Sequence, residues 1–93
     1  MRNGKRDSNN HRGRLDIIAD ILGASRGGVK KTHLMYHCNL SFIQLKLYSH
    51  FLLKQGLLHT IKHENEANEG SVEVTDKGKD FLRAYKSLKS LMQ

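Results

Sequence analysis

His33 and His37 stand four residues apart with Cys38 adjacent, and on a helix that spacing can place two imidazoles on one metal ion. No local motif supplies a further ligand, and His59 and His63 could join only through the tertiary fold, so the expectation is exposed or hydrogen-bonded histidines and no metal. The run Gly23-Ala24-Ser25-Arg26-Gly27-Gly28-Val29-Lys30-Lys31-Thr32 comes close to a phosphate-cradling loop. Val29, however, occupies the position of the required lysine, and a helical pattern rather than a strand precedes it. The chain has no G-x-S-x-G elbow, no H-E-x-x-H and no carboxylate pair isolated on an apolar face. No nucleophile with a positioned base can be named, which argues against an enzyme and implies no cofactor.

The chemistry that does recur is cationic. Arg26, Lys30 and Lys31 precede a helix start, where unpaired backbone N–H groups also favour phosphate. Ser41, Ile43, Gln44, Lys46, Leu47, His50 and Lys54 then fall within one helical segment. At about 100° per residue, Leu45, Ser49 and Leu52 cluster with Phe42, whereas Ile43, Lys46, Leu47, His50 and Lys54 lie opposite, with Gln44 at the margin. On that opposite face Lys46 and Lys54 suit phosphates, Gln44 can pair bidentately with adenine, and Ile43 or Leu47 can meet a thymine methyl. The competing reading is a solvated face, or a small protein-binding patch built on Ile43 and Leu47.

Elements to hold these residues follow from periodicity. Leu15, Ile18, Ala19 and Leu22, widened by Ile17 and Ile21, predict a helix from Arg14 to about Ala24, broken at Ser25–Gly28. Thr32 is expected to cap a short helix through Cys38, with Leu34 and Met35 inward and Asn39 as a left-handed stop. Ser41 and Gln44 form a capping box for a helix through Lys54, and Gly56 ends it. Two helices joined across Cys38, Asn39 and Leu40 have the tight connection of a helix-turn-helix. Leu57–Lys62 and Ser71–Val74 read as a hairpin around a polar loop, with Val72 and Val74 on one face. Thr75 caps a last helix, about 75–92, whose Phe81, Leu82, Tyr85, Leu88, Leu91 and Met92 form an apolar stripe.

The chain has 93 residues and a formal charge of +7, enough for one small domain with a lean core that self-association would help. Charge is unevenly placed: residues 1–62 carry +8, residues 63–76 carry −5 and residues 77–93 carry +4. A polyanion is the expected partner. Residues 1–13 read as a flexible basic arm whose Arg2, Lys5, Arg6 and Arg12, with the adjoining Arg14, can contact phosphates, and residues 14–93 as the folded domain. Glu64, Glu66 and Glu69 at the hairpin tip would repel a phosphate backbone. The start lacks a signal-peptide apolar core, and apolar runs hold only three residues, as at Phe51 to Leu53. No membrane association is expected, and the location is expected to be cytoplasmic.

Arg14-Leu15-Asp16-Ile17-Ile18, Lys31-Thr32-His33-Leu34-Met35-Tyr36, Asn39-Leu40-Ser41, Gln44-Leu45, Gly56-Leu57-Leu58 and Thr75-Asp76-Lys77-Gly78 together resemble the archaeal winged helix-turn-helix regulator family, over residues 14 to about 85. The resemblance implies a DNA-binding winged helix, and in some members dimerisation through an antiparallel coiled coil of the last helix.

The fold class expected is therefore mainly α with a small β-hairpin, in the order α-α-α-β-β-α. The expected function is that of a double-stranded DNA-binding transcriptional regulator or nucleoid-associated protein, with residues 41–55 in the major groove. A homodimer through Phe81, Tyr85, Leu88 and Met92 is expected, and no small-molecule effector is evident. The alternatives are a protein-interaction winged helix using Ile43 and Leu47, and an RNA binder, for which no aromatic stacking platform is visible.

Overall fold

The computed structural model describes residues 12–61 and 70–92. Helix α1 spans Arg14–Ala24, strand β1 Val29–Lys30, helix α2 Lys31–His37, helix α3 Phe42–Lys54, strand β2 Leu58–Ile61, strand β3 Ser71–Val74 and helix α4 Asp76–Leu91. The observed order is thus α-β-α-α-β-β-α. The expected mainly α architecture with a small β-hairpin is present, and one further short strand joins the hairpin to make a three-stranded sheet, β1-β3-β2.

Helix α1 buries Ile17, Ile18, Ala19, Ile21 and Leu22. Leu15, expected in this stripe, is exposed, because it lies in the first turn, before the helix passes over the core. Gly13 has no side chain with which to cap α1, but its N–H donates to the Asp16 carboxylate at 3.0 Å, satisfying one group left over by the helix start. Arg12, assigned to the arm by sequence, donates to Asp20 at 2.8 Å and to the Asn39 carbonyl at 3.4 Å. The folded region therefore begins at least two residues before Arg14.

After α1 the chain reverses on Gly27 and Gly28, whose φ angles of 76° and 95° are readily adopted only by glycine. This turn delivers Val29 opposite Val72 and Lys30 opposite Ser71. Two residues are too few to show a period of two, so β1 has no signature of its own in the sequence. Its pairing also explains why Thr32 is not the cap of α2. Lys30 is held extended by the sheet and is itself the N-cap, without a side-chain hydrogen bond, and the helix begins at Lys31.

Asn39 takes the left-handed conformation at φ 57°, and the Leu40 N–H returns to the Met35 carbonyl at 2.8 Å. The chain then enters α3 through the Ser41–Gln44 box. Gln44 N–H donates to Ser41 Oγ at 3.1 Å, and Ser41 N–H donates to Gln44 Oε1 at 3.0 Å. Strands β2 and β3 pair antiparallel from Leu58↔Val74 to Ile61↔Ser71. Val72 and Val74 are both buried. Thr75 Oγ1 accepts from Gly78 N–H at 3.0 Å and donates to the Gly56 carbonyl at 2.6 Å, tying the start of α4 to the end of α3.

Gly78 allows a close helix contact, since a Cβ there would strike the Leu57 carbonyl and the Val74 methyl. The core is shared by all four helices and the sheet, with Ile21, Leu22, Leu34, Leu52, Leu58 and Val72 almost wholly buried and Leu82 brought in by α4. No described helix is long and apolar enough to cross a membrane.

Candidate nucleic-acid interface

Helix α3 is held from behind. Leu45, Ser49 and Leu52 are buried, so Ile43, Lys46, Leu47, His50 and Lys54 are presented outward and all are exposed. Ile43 and Leu47 are 67% and 66% exposed. Ser41 and Gln44 sit at the exposed start of the helix, with their side chains engaged in its capping box. Phe42, which the wheel groups with the inward residues, is exposed instead. It occupies the first helical position, beyond the edge of the core, and Lys46 Nζ lies 5.8 Å from its ring centroid, within reach of a cation–π attraction.

A groove of about 510 Å³ runs along α3, with Lys31 and Thr32 on one wall, Phe42, Lys46 and His50 on the other, and Gly70 just before β3. Lys31 is thus joined to the α3 face. Lys30 stands nearby on β1, exposed. Arg26 goes elsewhere: it lines a second groove with Lys79, Arg83 and Lys86 of α4. The three cations clustered in sequence are divided by the Gly27–Gly28 turn. The α4 cations escaped the sequence reading, although their spacing at positions 79, 83 and 86 is that of one helix face.

Arg14 lies beside Ile18, Leu47, Tyr48 and Phe51 in a shallow groove between α1 and α3. Arg12 is partly neutralised by Asp20. Arg2, Lys5 and Arg6, and the acidic tip with Glu64, Glu66 and Glu69, lie outside the described residues.

The His33 and His37 rings stack with centroids 5.8 Å apart. Among the described residues no group of three His, Cys, Asp or Glu side chains could hold a metal ion. Cys38 is buried, and burial, followed by the charge of Asp20, pushes its thiol pKa up, away from the reactive thiolate.

On α4, Phe81 and Tyr85 are partly buried against the core, whereas Leu88, Leu91 and Met92 are exposed. The Tyr85 hydroxyl donates to the Asp16 carboxylate, and Lys89 Nζ lies 3.6 Å from the same carboxylate. These contacts pin α4 to the start of α1.

A family model described as winged helix-turn-helix matches residues 11–93. Among solved structures, the chain is similar to Sso10a-2, a DNA-binding protein from Sulfolobus solfataricus, with 23% identity over 87% of this chain and 82% of that one and a TM-score of 0.77. It is also similar to a mutant S. aureus MepR bound to an oligodeoxyribonucleotide, at 14% identity over 95% and 69% of the two chains, TM-score 0.71. Streptococcus pneumoniae FabT in complex with DNA matches at 16% identity over 95% and 66%, TM-score 0.65. A comparison with curated proteins found no match.

Proposed function

The chain belongs to the winged helix-turn-helix family, and from that premise we propose that it binds double-stranded DNA through α3, as a transcriptional regulator or nucleoid-associated protein. The carrying observation is the division of α3 into a buried Leu45–Ser49–Leu52 side and an exposed side with Lys46, His50 and Lys54. An α-helix fits the major groove with one face toward the bases. Lys46 and Lys54 take phosphates, Gln44 reads a base edge near the helix start, and Ile43 and Leu47 meet thymine methyls. Lys30 and Lys31 contact the backbone beside the α3 groove.

The active species is a homodimer in which Leu88 and Met92, 50% and 73% exposed, pack against a second copy, with Phe81 and Tyr85 at the inner edge of the contact. Sso10a-2, by its description, binds DNA, and the same activity is assigned here. The protein carries out this role in the cytoplasm, on the nucleoid, without enzymatic chemistry.

A titration of duplex DNA at several salt concentrations tests the reading. The logarithm of affinity should fall linearly with the logarithm of salt concentration, because bound lysines and arginines release condensed counterions. A flat or absent response refutes DNA binding and favours a protein partner at Ile43 and Leu47.

A further inference from the structure

We infer that α4 carries a second phosphate-binding surface, the groove between the Arg26–Gly27 turn and Lys79, Arg83 and Lys86, and that it holds the backbone of a second DNA duplex. The inference extends the DNA reading of α3 and rests on it.

The groove encloses about 310 Å³, with Leu82 in its floor and no carboxylate in its lining. Lys79, Arg83 and Lys86 recur at i, i+4 and i+7 on one side of α4. Seven residues of helix rise about 10.5 Å, the axial length over which one DNA strand carries about three phosphates. Arg26 comes from the opposite wall, placed there by the left-handed turn at Gly27. Among the described residues only Arg83 of these four has a carboxylate partner, Asp80, and both side chains of that pair are largely exposed. A solvated pair of this kind contributes little, so a phosphate can displace it.

The surface is separate from the α3 interface. Helix α3 packs on α2 and β2, whereas α4 packs on α1 and β3, and the two grooves share no lining residue. At about 100° per residue the cations lie roughly 160° around α4 from the Phe81, Leu88 and Met92 stripe. A dimer formed through that stripe leaves them open. A cationic ridge with phosphate-like spacing, on a chain whose other face is offered to DNA, is complementary to a second duplex that α3 does not occupy.

The test uses the full chain loaded onto a bead-bound duplex, washed free of unbound protein and offered a second, fluorescent duplex. The wild-type chain should retain it. A combined Arg26→Ala, Lys79→Ala, Arg83→Ala and Lys86→Ala variant should retain about tenfold less, while its affinity for a single duplex changes by less than about twofold. Its thermal melt should match wild type, since all four side chains are exposed. A variant with Arg26→Lys and Arg83→Lys should behave as wild type, because phosphate contact needs charge and not a particular side chain.

Equal retention by the wild-type and alanine proteins would overturn the inference while leaving the α3 reading intact. Retention of a polyglutamate peptide but no second duplex would overturn it in favour of an acidic protein partner. Failure of the wild-type chain to bind even the first duplex would refute the α3 reading itself, and this inference with it.

Discussion

The hydroxyl of Tyr85 in α4 donates to the carboxylate of Asp16 in α1, a contact that joins residues 69 positions apart. Gly13 N–H occupies the other oxygen of that carboxylate. One acidic side chain therefore stabilises the start of α1 and fixes the rotation of α4, the helix that carries the exposed Leu88 and Met92 and the Lys79, Arg83 and Lys86 side.

Tyr85→Phe should lower stability by about 1 kcal/mol, the scale of a partly exposed hydrogen bond to a charged acceptor. The link also gives a pH signature. The Tyr85 hydrogen bond, followed by that from Gly13, holds the Asp16 pKa below its ordinary value. Its contribution is present above about pH 4 and is lost as pH falls through the lowered folded value. Tyr85 is pushed up to about 12, chiefly by its bond to Asp16. That contribution is complete below about pH 10 and is lost as pH rises through the folded value. Denaturant melts across pH should show both slopes reduced in Tyr85→Phe, and unchanged slopes would remove Asp16 as their origin.

Gly78→Ala should be costlier than the usual helix-favouring exchange. A methyl group there meets backbone at Leu57 and the side chain of Val74, so α4 must shift. An overpacking cost of about 1–3 kcal/mol is expected, readable as a lower denaturation midpoint. A gain in stability would show that α4 does not approach Leu57 so closely.

Lys46→Ala and Gln44→Ala should separate affinity from selectivity. The first should weaken all duplexes about equally and reduce the salt slope by roughly one unit. The second should relax preference at one base pair by about 1–3 kcal/mol. Because Gln44 closes the capping box of α3, circular dichroism must first show that variant folded. If both variants are folded and neither changes affinity or preference on a duplex array, α3 is not the reading element.

Leu88→Asp should yield monomers in sedimentation, since it places a charge in the middle of the exposed end of α4. DNA affinity should fall in parallel, because two linked half-site binders raise each other's effective concentration. A folded Leu88→Asp protein that still sediments as a dimer would move the interface elsewhere.

Local signals were sufficient wherever a few adjacent residues impose their own conformation. The Ser41–Gln44 box, the Thr75 cap, the left-handed Asn39 and the stop at Gly56 are each set by short-range hydrogen bonding or backbone sterics. They are therefore legible in the sequence, as is the outward face of α3, because helical period and burial coincide at Leu45, Ser49 and Leu52. What only the tertiary structure decided involves partners distant in sequence. Val29 and Lys30 become a strand because Ser71 and Val72 are there to pair with them, and that pairing replaces Thr32 with Lys30 at the start of α2. Phe42 is exposed because the core ends before it. Arg26 leaves Lys30 and Lys31 for Lys79, Arg83 and Lys86 because the Gly27–Gly28 reversal sends the chain into the sheet, and Tyr85 finds Asp16 because α1 and α4 pack together. Sequence proximity says little about these pairings, since the free energy that selects them comes from burial and hydrogen bonds formed only when the whole chain has closed on its core.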